Sequence, residues 1–142
     1  MSDSANLAAR VLTSIVFIVF GYLQFTNIGS YTTNAAIVKF VGVTGGVLSP
    51  TVIAYLVAAI DLFGGLLILV GFQTRWTASV LIIFVVLTLI FAHPFWTFEG
   101  PSRAANQVQF YKNLAIIGAL LFLIVLGPGR YSLDNRLGRV DR

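Results

Sequence analysis

The chain has 142 residues, of which 58% are hydrophobic and 10% charged, and its mean hydropathy is +0.92. A soluble domain carries about 25% charged and 45–50% apolar residues, so this composition predicts an integral membrane protein. The absence of cysteine excludes disulfides and cysteine-ligated clusters. A single histidine and a single methionine leave no side-chain pair for axial haem ligation. The net charge of +4 comes from arginines near the ends of apolar runs, a pattern typical of membrane topology and not of nucleic-acid binding.

The first apolar run follows a short polar segment, residues 1–9, which is expected to be mobile. A first transmembrane helix is predicted over about residues 7–27, since the run is long enough to span a bilayer. The alternative is a cleaved signal peptide, which the length of the run disfavours. Residues 28–50 form a connector too interrupted to span, and its AIVKFVGV stretch is predicted to be a short helix at the membrane surface.

Three further spans follow, over about residues 52–71, 76–96 and 107–126. Ser49 and Pro50 suit a helix start, and Gly127-Pro128-Gly129 suits a helix end. A tight turn is predicted at residues 72–75 and a polar loop at residues 97–106. The prediction is therefore one all-α domain over residues 1–142, an up-down four-helix bundle with short links.

The distribution of basic residues predicts the orientation of this bundle. With four spans, one side of the membrane carries a set of six arginines: Arg10, Arg75, Arg130, Arg136, Arg139 and Arg142. The other side has Lys39 and Arg103, so the positive-inside rule places both termini in the cytoplasm. We call the side of the six arginines the arginine-rich end, and the half of the bundle remote from it the outer half.

Each predicted span contributes one polar side chain to the outer half. From a rise of about 1.5 Å per residue, Asp61 lies roughly 14 Å below the outer end of its span, and Lys112 roughly 8 Å below the end of its own. Gln24 and His93 lie about 5 Å deep by the same rise. Helical spacing places a set of polar residues on one face of the fourth span, predicted to point inward: Asn106, Gln109, Lys112 and Asn113.

Charged groups inside a membrane are costly unless they are paired, so Asp61 and Lys112 are expected to lie close together. Two interpretations of this pair remain open, a structural lock alone or a lock that is also part of a ligand site. His93 is open to a structural or a binding role. Trp76 and Trp96 are most simply interface anchors, and Arg75 and Arg130 most simply set topology and contact lipid head groups.

Several motifs along the chain resemble one family. They are Arg10 before the first span, Asp61-Leu-Phe-Gly-Gly, Gly71-Phe-Gln-Thr-Arg75, His93, Phe110-Tyr-Lys-Asn-Leu-Ala-Ile-Ile-Gly118 and Gly127-Pro-Gly-Arg-Tyr-Ser-Leu-Asp134. Together they resemble the DoxX family of four-span membrane proteins. The resemblance implies a helical bundle in the prokaryotic inner membrane and a link to quinone-dependent oxidation. Relatives often carry Glu at the position of Asp61 and a basic residue near Gln24.

Three hypotheses of function follow: a quinone-binding subunit of an oxidoreductase, a non-catalytic assembly subunit of a larger respiratory complex, and a small transporter or lipid-binding module. No catalytic motif or metal-ligand spacing is present. A quinone in the outer half is expected to meet a set of six residues: Asp61, His93, Lys112, Asn113, Tyr111 and Gln24. The expected partners are the lipid bilayer and a larger membrane complex or a second copy of the chain.

Overall fold

The computed structural model describes residues 3–138, and these residues form helices, turns and loops without β-strands. Four helices are long and apolar enough to cross a membrane: α1 (Asp3–Thr26), α4 (Pro50–Val70), α5 (Thr74–Phe91) and α6 (Gly100–Leu126). Three short helices, α2 (Ile28–Thr32), α3 (Ala35–Val43) and α7 (Leu133–Arg136), and a 3₁₀ turn (Phe95–Thr97) complete the chain. The predicted four-helix membrane bundle is confirmed.

Several predicted boundaries shift. The expected mobile segment at residues 1–9 is wrong from Asp3 onward, because α1 begins there and buries Asn6. The expected polar loop at 97–106 is wrong from Gly100, since Pro101 fits the first turn of α6. Helix α5 ends at Phe91, not at residue 96. Pro94 disfavours helical geometry at the residue before it, so the helix ends ahead of the proline. Residues 1–2 and 139–142, with Arg139 and Arg142, lie outside the described residues.

Other predicted helix ends are confirmed. Ser49 accepts a hydrogen bond from the Val52 amide at the start of α4, with Pro50 in the first turn. Gly127 ends α6 with a φ of 73°, a conformation that a side chain would strain. The AIVKFVGV stretch forms most of α3, as expected.

The four long helices form a ring in which α4 packs against α1 and α5, and α6 packs chiefly against α5. The core shared by all four lies toward the arginine-rich end. It consists of seven buried residues: Phe17, Ile68, Ala78, Leu81, Val85, Leu120 and Leu123. In the outer half, α2 and α3 pack on α4 around Ile37, Ile53 and Ala54. The bundle is therefore closed at one end by its own helices and covered at the other by the connector.

Arg10, which the sequence suggested only as a topology signal, is fully buried at 1% exposure. Its guanidinium donates to the backbone carbonyl oxygens of Pro128, Leu69 (3.2 Å) and Tyr131 (2.7 Å). One turn earlier, the Asn6 amide donates to the Gly127 carbonyl at 3.2 Å. These bonds tie α1 to the end of α4 and to the segment after α6. We call this group of contacts the inner latch.

Asp134 completes the inner latch from the C-terminal segment. Helix α5 begins without a cap from its own N-cap residue, Gln73, which has a φ of 45°. The Asp134 carboxylate instead accepts from the amides of Gln73 (2.7 Å) and Thr74 (2.9 Å), and from the Thr74 hydroxyl (3.2 Å). A carboxylate at a helix N-terminus satisfies unbonded amides and opposes the positive end of the helix dipole. The tail thus caps a transmembrane helix.

The inner latch yields a stability prediction. Arg10→Met should leave three carbonyl groups without their donor and lower the free energy of unfolding by about 2 kcal/mol or more. Asp134→Ala should remove the cap of α5 and cost about 1–2 kcal/mol. Thermal unfolding in detergent measures both. Arg136→Met is the matched control, because Arg136 is exposed on the same tail and should change stability little. Equal effects in all three variants would contradict a specific role for the latch.

The orientation from the positive-inside rule stays a prediction. Reporter fusions at Ser102, in the first turn of α6, and at the C-terminus are expected to report opposite sides of the membrane, with the C-terminus in the cytoplasm. The same side for both fusions would contradict the assigned topology.

Candidate functional site

Helices α1 and α4 approach each other closely because glycines face the neighbouring backbone. A Cβ at Gly21 would collide with the backbone of Leu62, and one at Gly65 would lie 2.9 Å from the Ile18 amide nitrogen. Small residues allow this approach in membranes, where packing and not the hydrophobic effect joins helices. The contact brings the outer end of α1 against the middle of α4.

Asp61 and Gln24 meet at this contact. Asp61 is 6% exposed and Gln24 8%, and the Gln24 amide nitrogen donates to the Asp61 carboxyl oxygen Oδ2 at 2.9 Å. The Gln24 oxygen Oε1 is buried without a hydrogen-bond partner. A neutral amide therefore supplies the hydrogen-bond donor for the carboxyl group in the middle of α4.

The predicted Asp61–Lys112 pair is wrong. Among residues 3–138, the Asp61 carboxyl group has no basic side chain in ion-pair contact, and Lys112 is exposed. The physical reason is the arrangement of the ring, since α4 and α6 are not packed neighbours. The inward burial predicted for the polar face of α6 is also wrong for Gln109 and Lys112, while Asn106 and Asn113 are half-buried.

Lys112 lies on a side of α6 that is packed at the arginine-rich end and exposed in the outer half. Lys112 precedes Leu123 by eleven residues, about three turns, so both lie on the same side of α6. Leu120 and Leu123 are buried in the shared core, Ile116 is half-buried, and Lys112 is exposed. The side of α6 that packs at the arginine-rich end is thus uncovered further out. We call the uncovered surface along this side of α6 in the outer half the outer opening.

Asp61 also points toward the axis of the bundle. It precedes Ile68 by seven residues, about two turns, and Ile68 is fully buried in the core that all four helices share. Two of the predicted site residues, Gln24 and Asp61, are therefore in contact, and Lys112 is exposed on α6.

His93 bonds to α6 and not to the Asp61 pair. Its ring nitrogen Nδ1 lies 3.1 Å from Oδ1 of Asn106, whose amide nitrogen donates to the Ser102 carbonyl at 2.9 Å. Because that amide bond leaves Oδ1 as the acceptor, His93 donates from Nδ1. In the tautomer with the proton on Nδ1, Nε2 is an acceptor. His93 joins the end of α5 to α6 and presents one free ring nitrogen.

Aromatic rings pack at the outer end of α6. Phe95 lies edge-on to Trp96 (5.4 Å between ring centroids) and to Phe110 (5.3 Å), and Tyr111 lies 5.9 Å from Phe110. Edge-on contacts of this kind stabilise beyond the area that they bury. The cluster fixes the 3₁₀ turn against α6, beside Lys112 and the half-buried Asn113.

A hollow of about 220 Å³ lies between α4 and α5. Its lining consists of Ile60, Gly64, Leu67, Trp76, Thr77, Val80 and Leu81. None of the predicted site residues borders it, and its surface is almost entirely apolar. Such a hollow fits a lipid chain but offers little that would orient a polar ligand.

Comparisons with known proteins agree with this architecture. Residues 5–94 match the family model described as DoxX. The chain is 34% identical over 139 residues to the inner membrane protein YqjF of Escherichia coli, covering 98% of this chain and 96% of that protein. It is 30% identical over 130 residues to the inner membrane protein YphA of E. coli, covering 92% of this chain and 88% of that protein.

A more distant similarity reaches eukaryotes. Over 72 residues the chain is 31% identical to a Surfeit locus protein 4 homolog of Schizosaccharomyces pombe, covering 49% of this chain and 24% of that protein. No solved structure matches the chain.

The close α1–α4 contact yields a second stability prediction. Gly21→Ala should push α1 away from the α4 backbone and lower the free energy of unfolding by about 1–3 kcal/mol, the usual cost of overpacking. Gly118→Ala is the matched control, because a Cβ at Gly118 would meet nothing within 4 Å. That variant should keep or raise stability, by up to about 1 kcal/mol from helix propensity. Thermal unfolding in detergent compares them, and an equal response would contradict the contact.

Proposed function

The chain belongs to the DoxX family, whose relatives YqjF and YphA are inner membrane proteins, and we propose that it binds a quinone-like molecule in the outer opening. Four apolar helices fit a multi-pass protein of that membrane. A quinone dissolves in the bilayer, so it reaches a site between helices sideways and not from water. It needs an apolar slot and hydrogen-bonding groups at its ring oxygens.

The observation that carries the proposal is the exposure of Lys112 on the core-facing side of α6. An exposed lysine inside a span is costly unless it reaches water or a partner. Here it lies in the outer half of the bundle, as the buried Asp61–Gln24 pair does, and the aromatic cluster lies beside it. A ring between these groups would bring an acceptor to Lys112 and apolar surface to the aromatic residues.

The polar groups have separate roles in this proposal. The Lys112 ammonium donates to a quinone carbonyl, and the Asn113 amide and the Tyr111 hydroxyl lie on either side of it in the sequence as further donors. The neutral His93 ring, bonded to Asn106 through Nδ1, accepts from a ring hydroxyl through Nε2. Lys112 therefore donates to a carbonyl of the oxidised ring, and His93 accepts from a hydroxyl of the reduced ring.

Oxidoreduction also requires a route for electrons. The sequence contains no cysteine, and residues 3–138 hold no group of three or more His, Cys, Asp or Glu side chains placed to hold a metal. We infer that electrons pass between the bound ring and a partner subunit of a larger membrane complex. The chain itself would then position the ring and exclude water from it.

Titration with a short-chain quinone tests binding in the outer opening. The chain has two tryptophans, so Trp76→Phe leaves Trp96, a member of the aromatic cluster, as the sole indole fluorophore. Its fluorescence is expected to fall and saturate as quinone is added. Lys112→Met should weaken the apparent affinity about tenfold, because a hydrogen bond from a charged donor is worth about 1.5–3 kcal/mol.

Two comparisons separate a site from partitioning. Lys39→Met removes the other lysine of the chain, which lies over the Phe98 ring at 5.8 Å, and should leave the affinity unchanged. His93→Ala should weaken binding of the quinol more than binding of the quinone. Quenching that rises linearly, and equally in every folded variant, would mean that quinone only dissolves in the detergent.

A further inference from the structure

We propose that Asp61 is a proton-binding site of the transmembrane bundle and that, at neutral pH, it forms a neutral acid–amide pair with Gln24. This inference is independent of the quinone proposal, because it concerns the resting protein and needs no ligand. It rests on two observations, the missing counter-charge and the unpartnered oxygen of Gln24.

The first observation is the missing counter-charge. Asp61 is 6% exposed in the middle of α4, and its side-chain partner is the neutral amide of Gln24. A buried carboxylate without a cation is strongly disfavoured in a low-dielectric interior, and a carboxyl group there takes up a proton instead. An ionised Asp61 would require a basic group nearby.

The basic and titratable groups on the surrounding helices are all engaged or exposed elsewhere. Arg10 on α1 lies fourteen residues before Gln24, about 21 Å along the helix, and its bonds go to the inner latch. Arg75 on α5 lies over Gly127 at the arginine-rich end. Asp3 on α1 and Arg103 on α6 are exposed. The others are Tyr22 on α1, Tyr31 on α2, Lys39 on α3, Tyr55 on α4, His93 after α5, and Tyr111 and Lys112 on α6.

Of these groups, Tyr22, Lys39, Tyr55, Tyr111 and Lys112 are exposed. Tyr31 packs with the buried cluster of Ile53 and Ala54, about two turns from Asp61 on α4. His93 is bonded to Asn106. Among residues 3–138, no cation lies in contact with the Asp61 carboxyl group.

The second observation is the balance of donors and acceptors in the pair. Gln24 gives one N–H to Asp61 Oδ2, while its own oxygen Oε1 is buried and has no donor. An ionised carboxylate only accepts, so it cannot satisfy this oxygen. A protonated carboxyl group carries one O–H, which is the donor that the pair lacks. A proton on Asp61 thus removes the unpaired charge and supplies the missing donor together.

Infrared spectroscopy measures the proton directly. The protein in lipid nanodiscs at pH 7 is compared with Asp61→Asn, and the difference spectrum is expected to contain a carbonyl band of a protonated carboxylic acid. Raising the pH should replace this band by carboxylate bands. Glu99→Gln is the control, because Glu99 is exposed and its difference spectrum should show carboxylate bands at pH 7. Carboxylate bands from Asp61 at pH 7 would overturn the proposal.

Stability gives a second measurement. Asn resembles the neutral acid and can still accept from Gln24, so Asp61→Asn should keep the thermal unfolding midpoint of the native protein. Asp61→Leu removes the acceptor and should lower that midpoint clearly. If Asp61→Asn lowered the midpoint as much as Asp61→Leu did, the native group would be a charge and the proposal would be wrong. A quinone titration without a saturating signal would leave these results unchanged, so the two proposals fail separately.

Discussion

The close contact of α1 with α4 is the constraint on which the other features depend. One buried stripe of α1 runs along α4, from Arg10 through Phe17 and Gly21 to Gln24. Glycine at position 21 of α1 and at position 65 of α4 sets the distance between the two helices. At one end of the stripe, Arg10 reaches the carbonyl groups of the inner latch, and at the other, Gln24 reaches Asp61. A wider separation of the two helices would loosen both polar contacts together.

Neutral groups, and not ion pairs, are the hydrogen-bond partners of the buried Arg10 and Asp61 side chains at the two ends of this stripe. Arg10 is held by backbone carbonyl oxygens, with the Asp134 carboxylate close enough to interact electrostatically, and Asp61 is held by an amide. Within hydrocarbon, each polar group must find its partner inside the protein. At the arginine-rich end the C-terminal segment folds back onto the helix ends and supplies carbonyl acceptors to Arg10, so the tail acts as part of the transmembrane fold.

The sequence predicts the four spans, their approximate limits and the caps at Ser49 and Gly127, because these features depend on local composition. It also places Asp61 and Lys112 in the outer half, which their positions along the helices determine. It does not predict whether they touch, because contact depends on the distance between helices. Glycines let α1 approach α4 closely, whereas α6 packs chiefly against α5. The capping of α5 by Asp134 was missed for a similar reason, since sixty residues separate the two.

Three of the six motifs that carry the family resemblance contribute residues to the inner latch. Arg10, Gly71 and Asp134 meet there, and a Cβ at Gly71 would collide with the Arg10 side chain. These motifs therefore describe how the bundle is held together, which explains why membership of a family identifies the fold better than the ligand. The groups of the outer opening carry fewer structural contacts: Lys112 is exposed, and Asp61 is held by one amide. A substitution there is expected to leave the helices in place, because the latch holds them at the other end. Side chains that bind a ligand are therefore expected in the outer half, where the fold constrains the side chains least.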